Sequence, residues 1–210
     1  RREMSLKKST KDRIKKYILE KIEIHDTSLA KKVADNFDVS LTTVYRYINE
    51  LCTDGLIEKN GRKYVLKAVS AGKVYYTSNQ LEEDKIFSEM IEPYVNKLPD
   101  NVFRIWQYAF TEMMNNAIDH SNAEIITVFV SQNYVSTSVI IEDNGIGIFE
   151  KIKEFYGYES LDDAVMELFK GKLTTDAEHH TGEGIFFTSR MIEHFGVLSG
   201  GKVFTHNTHF

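Results

Sequence analysis

Residues 112–120 read EMMNNAIDH, which places a carboxylate, Glu112, four positions before an amide, Asn116. At helical spacing the two share a face, and Asp119 and His120 continue it, while Phe110, Met113 and Ala117 serve the buried side. Further on, residues 143–147 read DNGIG and directly follow an apolar run. An Asp held at a strand end can accept a hydrogen bond from an exocyclic amine, which adenine offers where guanine presents an acceptor. Gly145 and Gly147 let backbone approach a flat ligand closely. A third stretch, HTGEGIFF, sets Gly182 and Gly184 immediately before a helical pattern. A glycine loop feeding a helix N-terminus presents free N–H groups and the positive end of a dipole, which suits phosphate. Each piece alone reads equally well as a turn, a cap or a solvated face. Their order and contexts together point to one purine-phosphate pocket.

The elements that must position these residues are legible in outline. The segment 81–98 reads as a helix with Pro93 late in it, and Leu98-Pro99-Asp100 breaks it. A long helix from about 101 to 120 then carries Glu112 and Asn116. Residues 125–130 and 134–141 alternate as two strands joined at Gln132-Asn133, so DNGIG closes the second strand of a hairpin. Helical patterns recur at 148–156 and 160–170, and IFFTSRMIEHF predicts a helix ending at Gly196. The tail VLSGGKVFTHNTHF reads as two more short strands. Helices on one face of a mixed, mostly antiparallel sheet make an α+β sandwich.

The first third of the chain is of another kind. Residues 1–69 hold 16 Lys/Arg against 10 Asp/Glu, whereas residues 70–210 hold 10 against 21. That asymmetry suggests two modules, the first with a face friendly to polyanions. Residues 11–23 space Ile14, Ile18, Leu19 and Ile22 on one helical stripe. A second helix fits Leu29 to Phe37, with Leu29, Val33, Ala34 and Phe37 as its stripe. Ser40 is a good N-cap for a third helix that turns Leu41, Val44, Ile48 and Leu51 inward. Two short strands around Asn60-Gly61 follow. Three helices and a hairpin in this order predict a winged helix-turn-helix over residues 1–69. Residues 70–79 are a linker or an edge strand, and residues 80–210 are the second domain.

The first module resembles the winged-helix transcription regulators over residues 10–68. By that resemblance Thr42, Thr43, Arg46 and Asn49 face double-stranded DNA, with Arg forking to guanine and Thr touching phosphate. Lys59, Arg62 and Lys63 on the wing add phosphate contacts. Winged helices also serve as protein-binding or dimerisation modules, and Tyr45 and Tyr47 suit packing as well as stacking.

The second module, on EMMNNAIDH, DNGIG and TGEGIFFTSR, resembles the GHKL ATPase superfamily of gyrase-, Hsp90- and histidine-kinase-type domains. The resemblance implies ATP and Mg²⁺ as cofactors. It makes Asn116 the Mg²⁺ ligand through its amide oxygen and Asp143 the reader of adenine. Gly145 and Gly147 then line base and sugar, and Gly182 and Gly184 hold phosphates. Residues 171–181 become a lid, from which Lys172 reaches phosphate. Glu112 takes the catalytic role, orienting or deprotonating a nucleophile near the γ-phosphate. Hydrolytic members and anti-sigma-type serine kinases carry such a Glu. No phosphoacceptor His on a dimerising hairpin is found: His25 lies between two helices, and His179 and His180 lie in the lid.

The expected function is an ATP-binding regulator, a Mg-dependent ATPase coupled to a DNA-binding winged helix. The alternatives are a serine/threonine protein kinase of the anti-sigma type, and a non-catalytic nucleotide sensor whose winged helix binds protein. Expected partners are ATP or ADP, DNA, a STAS-like domain or protein, and a second copy of the chain. The lone cysteine, Cys52, excludes an internal disulfide framework and fits a cytoplasmic setting. No apolar run approaches the ~20 residues that span a bilayer. The lack of an initial Met, and of a strand after the last hairpin, predict a fragment of a longer protein.

Overall fold

The computed structural model describes residues 8–170 and 184–208, and the chain divides into two compact units. The first gathers the residues up to Ser70 with Ser131–Ser138; the second holds Ala71–Val130 and Val139–Phe210.

In the first unit, α1 (Lys8–Glu23) buries Ile14, Ile18, Leu19 and Ile22, the stripe its spacing predicts. Helix α2 (Leu29–Phe37) ends on Asp38, which adopts a left-handed conformation. The chain then turns into α3 (Leu41–Thr53), where Ser40 Oγ accepts the N–H of Thr43 at 3.2 Å. That bond satisfies one of the donors a helix start leaves open. The buried stripe of α3 is Thr43, Val44, Tyr47, Ile48 and Leu51. It is rotated from the expected one: Leu41 is 51% exposed and Thr43 only 8%. Tyr47 carries the larger apolar surface, and burying it draws position 43, one turn earlier, inward. Strands β1 (Ile57–Asn60) and β2 (Lys63–Leu66) pair antiparallel, with Asn60 opposite Lys63. Residues 131–138 join this unit through Glu23, whose carboxylate accepts from Asn133 Nδ2 (3.1 Å) and Ser136 Oγ (2.5 Å).

In the second unit, the run left open as linker or edge strand belongs to β3 (Val69–Tyr76), at the edge of a sheet ordered β3-β4-β5. Strand β4 (Ile125–Gln132) buries Ile126, Val128 and Val130, every second residue. Strand β5 is Thr137–Asp143. Helices α4 (Glu83–Met90), α5 (Glu92–Val95) and α6 (Asp100–Asn115) supply the covering side chains, chiefly Phe87, Val95, Phe110 and Met114, with Ile91 between α4 and α5. The helix expected over 81–98 is therefore two helices. Pro93 falls in the first turn of α5, where its missing N–H costs nothing; in a continuous helix it would break a bond and clash.

A second core holds Phe149, Ile152, Ala164, Leu168 and Phe204. It packs α7 (Ile148–Tyr156) and α8 (Leu161–Lys170) on the hairpin β6 (His194–Ser199) and β7 (Lys202–Asn207). Helix α9 runs Gly184–Met191 and stops five residues short of the expected end at Gly196. His194 and Phe195 instead pair with Asn207 and His206, and the Phe195 ring meets Phe204 edge-on. Cross-strand pairing and an aromatic contact outweigh local helical spacing. Among the described residues β6–β7 is a sheet of its own rather than part of one continuous sheet. The architecture is α+β with antiparallel hairpins.

Candidate functional site

Helix α6 does not run to residue 120 as one α-helix. After Asn115 it widens into a π-helical turn, Asn116–His120. At the junction the N–H of Asn116 is shared between the carbonyls of Glu112 and Met113. Such turns are rare and recur at functional sites. Met114 and Ala117 face the core, leaving Glu112 and Asn116 half-buried on the other side. His120 is half-buried, and Asp119 is turned to solvent. The turn ends on Ser121, which is buried: its hydroxyl donates to the carbonyl of Ala117 (2.5 Å) and accepts the N–H of Ala123 (3.0 Å).

The two glycine motifs close on opposite ends of this segment. At the C-terminal end, a Cβ on Gly145 would overlap the carbonyl oxygen of Ser121 and stand 2.7 Å from its carbon. The adjoining N–H of Ile146 donates to that same carbonyl at 3.0 Å. At the N-terminal end, a Cβ on Gly184 would overlap Glu112 Oε2 and stand 3.2 Å from its Cδ. Gly184 is the first residue of α9. Three stretches far apart in sequence are thus brought to one strip of surface.

Within DNGIG, Asp143 is exposed, and its Oδ1 accepts the N–H of Gly145 at 2.9 Å. Asn144, which the motif reading passed over, holds the turn to β4: its Oδ1 accepts from the N–H of both Glu124 and Ile125, each at 3.0 Å. The signal available was the residue type, since Asn side chains replace backbone partners in turns. Ser121 carried no signal, because its role depends on a neighbour 24 residues later. Gly147 opens α7 with φ +84°, and a Cβ there would overlap Ser199 Oγ, a buried hydroxyl without a partner among the described residues.

Lys172, Gly182, the remainder of the expected lid 171–181, and His179 and His180 lie outside the described residues. In the first unit, Thr42, Arg46 and Asn49 are exposed along α3 and border an open groove with Lys11, Lys15 and Tyr45. Thr43 does not join them: it is buried, with its hydroxyl 3.0 Å from Ser40 Oγ. Arg62 and Lys63 are exposed at the hairpin end. The groove is not uniformly basic. Glu50 lies 2.8 Å from Lys11 and 3.0 Å from Lys15, and Asp54 lies 3.1 Å from Lys15. The hydrogen bond from Lys11 leads the causes that hold the Glu50 carboxyl below its ordinary range. Burial works to lower the Lys15 ammonium, but its bonds to Glu50 and Asp54 prevail and raise it.

A family model described as histidine kinase-, DNA gyrase B-, and HSP90-like ATPase matches residues 103–208. The chain belongs to this family. The comparisons with curated proteins and with solved structures returned no match. The matched region starts inside α6 and ends just past β7, so this ATPase domain contains Glu112, Asn116, DNGIG and Gly184 together. Helices α1 to α3 and strands β1 and β2 lie outside it. No described helix is long and apolar enough to cross a membrane.

Proposed function

We infer that the chain is an ATP-binding regulator in which a Mg-dependent ATPase domain acts with a DNA-binding winged helix. One observation carries the nucleotide reading: the segment 112–121 is flanked at its two ends by glycines whose missing Cβ atoms would overlap it. Glycine at both places lets the turn at Gly145 and the start of α9 close on the segment that carries Glu112 and Asn116. The donor set suits Mg-ATP. The amide oxygen of Asn116 is a hard ligand of the kind Mg²⁺ takes beside phosphate and water. Asp143 keeps one carboxylate oxygen for an adenine amine, Gly145 and Gly147 line base and sugar, and the N-terminus of α9 at Gly184, with Gly182 and Lys172 before it, takes phosphate. Bound ATP supplies a transferable γ-phosphoryl group. Glu112, against Gly184, orients or deprotonates the attacking group, whether water or a protein hydroxyl.

Thr42, Arg46, Asn49, Arg62 and Lys63 supply the DNA-facing groups of the winged helix. Both modules share one chain, so nucleotide state can bias DNA affinity, partner choice or self-association.

The test is calorimetric titration of the chain with ATP, ADP and GTP in Mg²⁺, followed by gel shifts with and without ATP. ATP and ADP are expected to bind and GTP is not. Equal binding of GTP overturns the assignment of Asp143, and equal DNA affinity in both nucleotide states overturns the coupling. Labelled γ-phosphate then appears as free phosphate for the ATPase, or on a protein partner for the kinase.

A further inference from the structure

The observation that the motif reading does not use is the side chain of Asn144. Its Oδ1 accepts two backbone N–H groups at once, from Glu124 and Ile125, both at 3.0 Å. Its own N–H donates to the carbonyl of Ile125 at 3.3 Å. Three bonds therefore tie Asn144 to Glu124 and Ile125, at the start of β4. On the far side of Gly145, Ile146 N–H is held by the carbonyl of Ser121 at 3.0 Å. The turn is pinned on both flanks, and Asp143 is the residue that stands free of those pins.

Asp143 needs such help. It is exposed, so no packing restricts its side chain. What aims it is its own bond: Oδ1 accepts the N–H of Gly145 at 2.9 Å. That bond has its direction only while Gly145 stays where Ser121 and Asn144 hold it. One carboxylate oxygen is committed to the turn, and Oδ2 is left for a donor from outside.

We propose that Asn144 is a positioning residue for base selection: by holding the β5 turn to β4 it fixes the direction of the free Asp143 oxygen, and so sets how strongly the pocket prefers a purine bearing an exocyclic amine. This rests on the nucleotide reading above. A hydrogen bond to a charged acceptor is strong only when aligned, and weakens steeply as its angle opens. Without the Asn144 bonds the Glu124 and Ile125 N–H groups turn to water, the turn loosens, and Asp143 samples several directions. Discrimination falls, whereas contacts to phosphate and metal made by α6 and α9 are unaffected.

The experiment measures affinity for ATP and for purine riboside triphosphate, which lacks the exocyclic amine, in Mg²⁺. Wild type, Asp143→Ala, Asn144→Ala and Asn144→Asp are compared. The wild-type preference for ATP is expected to be on the order of tenfold to a hundredfold, the worth of one hydrogen bond to a charged group. Asp143→Ala removes the preference; if it does not, the nucleotide reading itself fails. Asn144→Ala is expected to lower the preference to about a third or less of the wild-type ratio, through weaker ATP binding, with affinity for the analogue unchanged. Asn144→Asp keeps an oxygen that can accept both N–H groups. Its extra charge repels both triphosphates alike and cancels in the ratio, so the preference is retained. If Asp143→Ala removes the preference while Asn144→Ala keeps it in full, the positioning role is overturned and the pocket stands. Equal loss of both nucleotides in Asn144→Ala also overturns it, since that is the result of a merely structural role. Should Asn144→Ala fail to fold, loss of the preference in Asn144→Asp overturns the proposal and its retention upholds it.

Discussion

The α-carbon of Gly184 rests against the carboxylate of Glu112, so closely that a methyl group there would overlap Oε2 and approach Cδ to 3.2 Å. The first residue of α9 and the carboxylate of α6 thus occupy one spot. The neighbour is the far end of a flexible side chain, which can move aside. Gly184→Ala is therefore expected to leave the fold intact and displace Glu112. ATP turnover should fall by about tenfold to a thousandfold, within the range that general-base groups contribute. Phosphate release and a thermal melt, measured on the same preparation, check both halves.

The corresponding change at Gly145 has a different cost. Its neighbour is the backbone carbonyl of Ser121, which is fixed by the π turn and already accepts Ile146 N–H. Gly145→Ala must push the turn off α6. It is expected to destabilise the second unit by about 1–3 kcal/mol and to abolish nucleotide binding. Denaturant unfolding and ATP titration measure these; a variant of wild-type stability that binds ATP would contradict the close approach.

Ser40 caps α3 through Thr43 N–H. Ser40→Ala is expected to cost about 1 kcal/mol, read as a lower urea midpoint at unchanged slope. The same variant removes the Ser40 hydroxyl that bonds the Thr43 hydroxyl at 3.0 Å. Ser40→Thr keeps the cap and should restore most of the loss.

Acid sensitivity of the first unit has a local source in Asp26. Its carboxylate takes Lys32 Nζ at 2.7 Å and both the hydroxyl and N–H of Ser28 at 2.8 and 2.9 Å. Lys32 first, then Ser28, pull its pKa from 3.8 to about 2. A depressed carboxyl contributes stability above its unfolded value and loses it as pH falls through the folded one. Wild type is expected to exceed Asp26→Asn by a constant margin above pH 3.8, and the margin should close as pH falls through about 2. A margin that persists below that pH would place the effect outside this ion pair.

The parts of the candidate site that were legible are those whose chemistry is local. Ser40 was readable as a cap because a cap acts within three residues. Glu112 and Asn116 were readable as neighbours because four positions make one helical turn. DNGIG was readable as a turn because its glycines announce backbone freedom. The paired hairpins followed from alternation and from Asn-Gly and Gly-Gly punctuation. The misplacements have physical causes. The local pattern puts Thr43 on the open face of α3, but the ring of Tyr47 one turn on draws it inward. The local pattern continues α9 past Met191, but pairing with β7 claims His194 and Phe195. Pro93 is different: its missing N–H, a local property, suits the first turn of a new helix rather than the interior of one.

The sequence by itself determined which side-chain chemistries stand at short spacing in the candidate site, since residue type and local period travel with the chain. Only the tertiary structure decided that Gly145 meets Ser121, that Gly184 meets Glu112, and that Asn144 ties β5 to β4. Those contacts join residues 19 or more positions apart, and no local period encodes them. They arise because β4 and β5 pair while α6 packs across them, so the choice is made by core packing rather than by the motifs themselves.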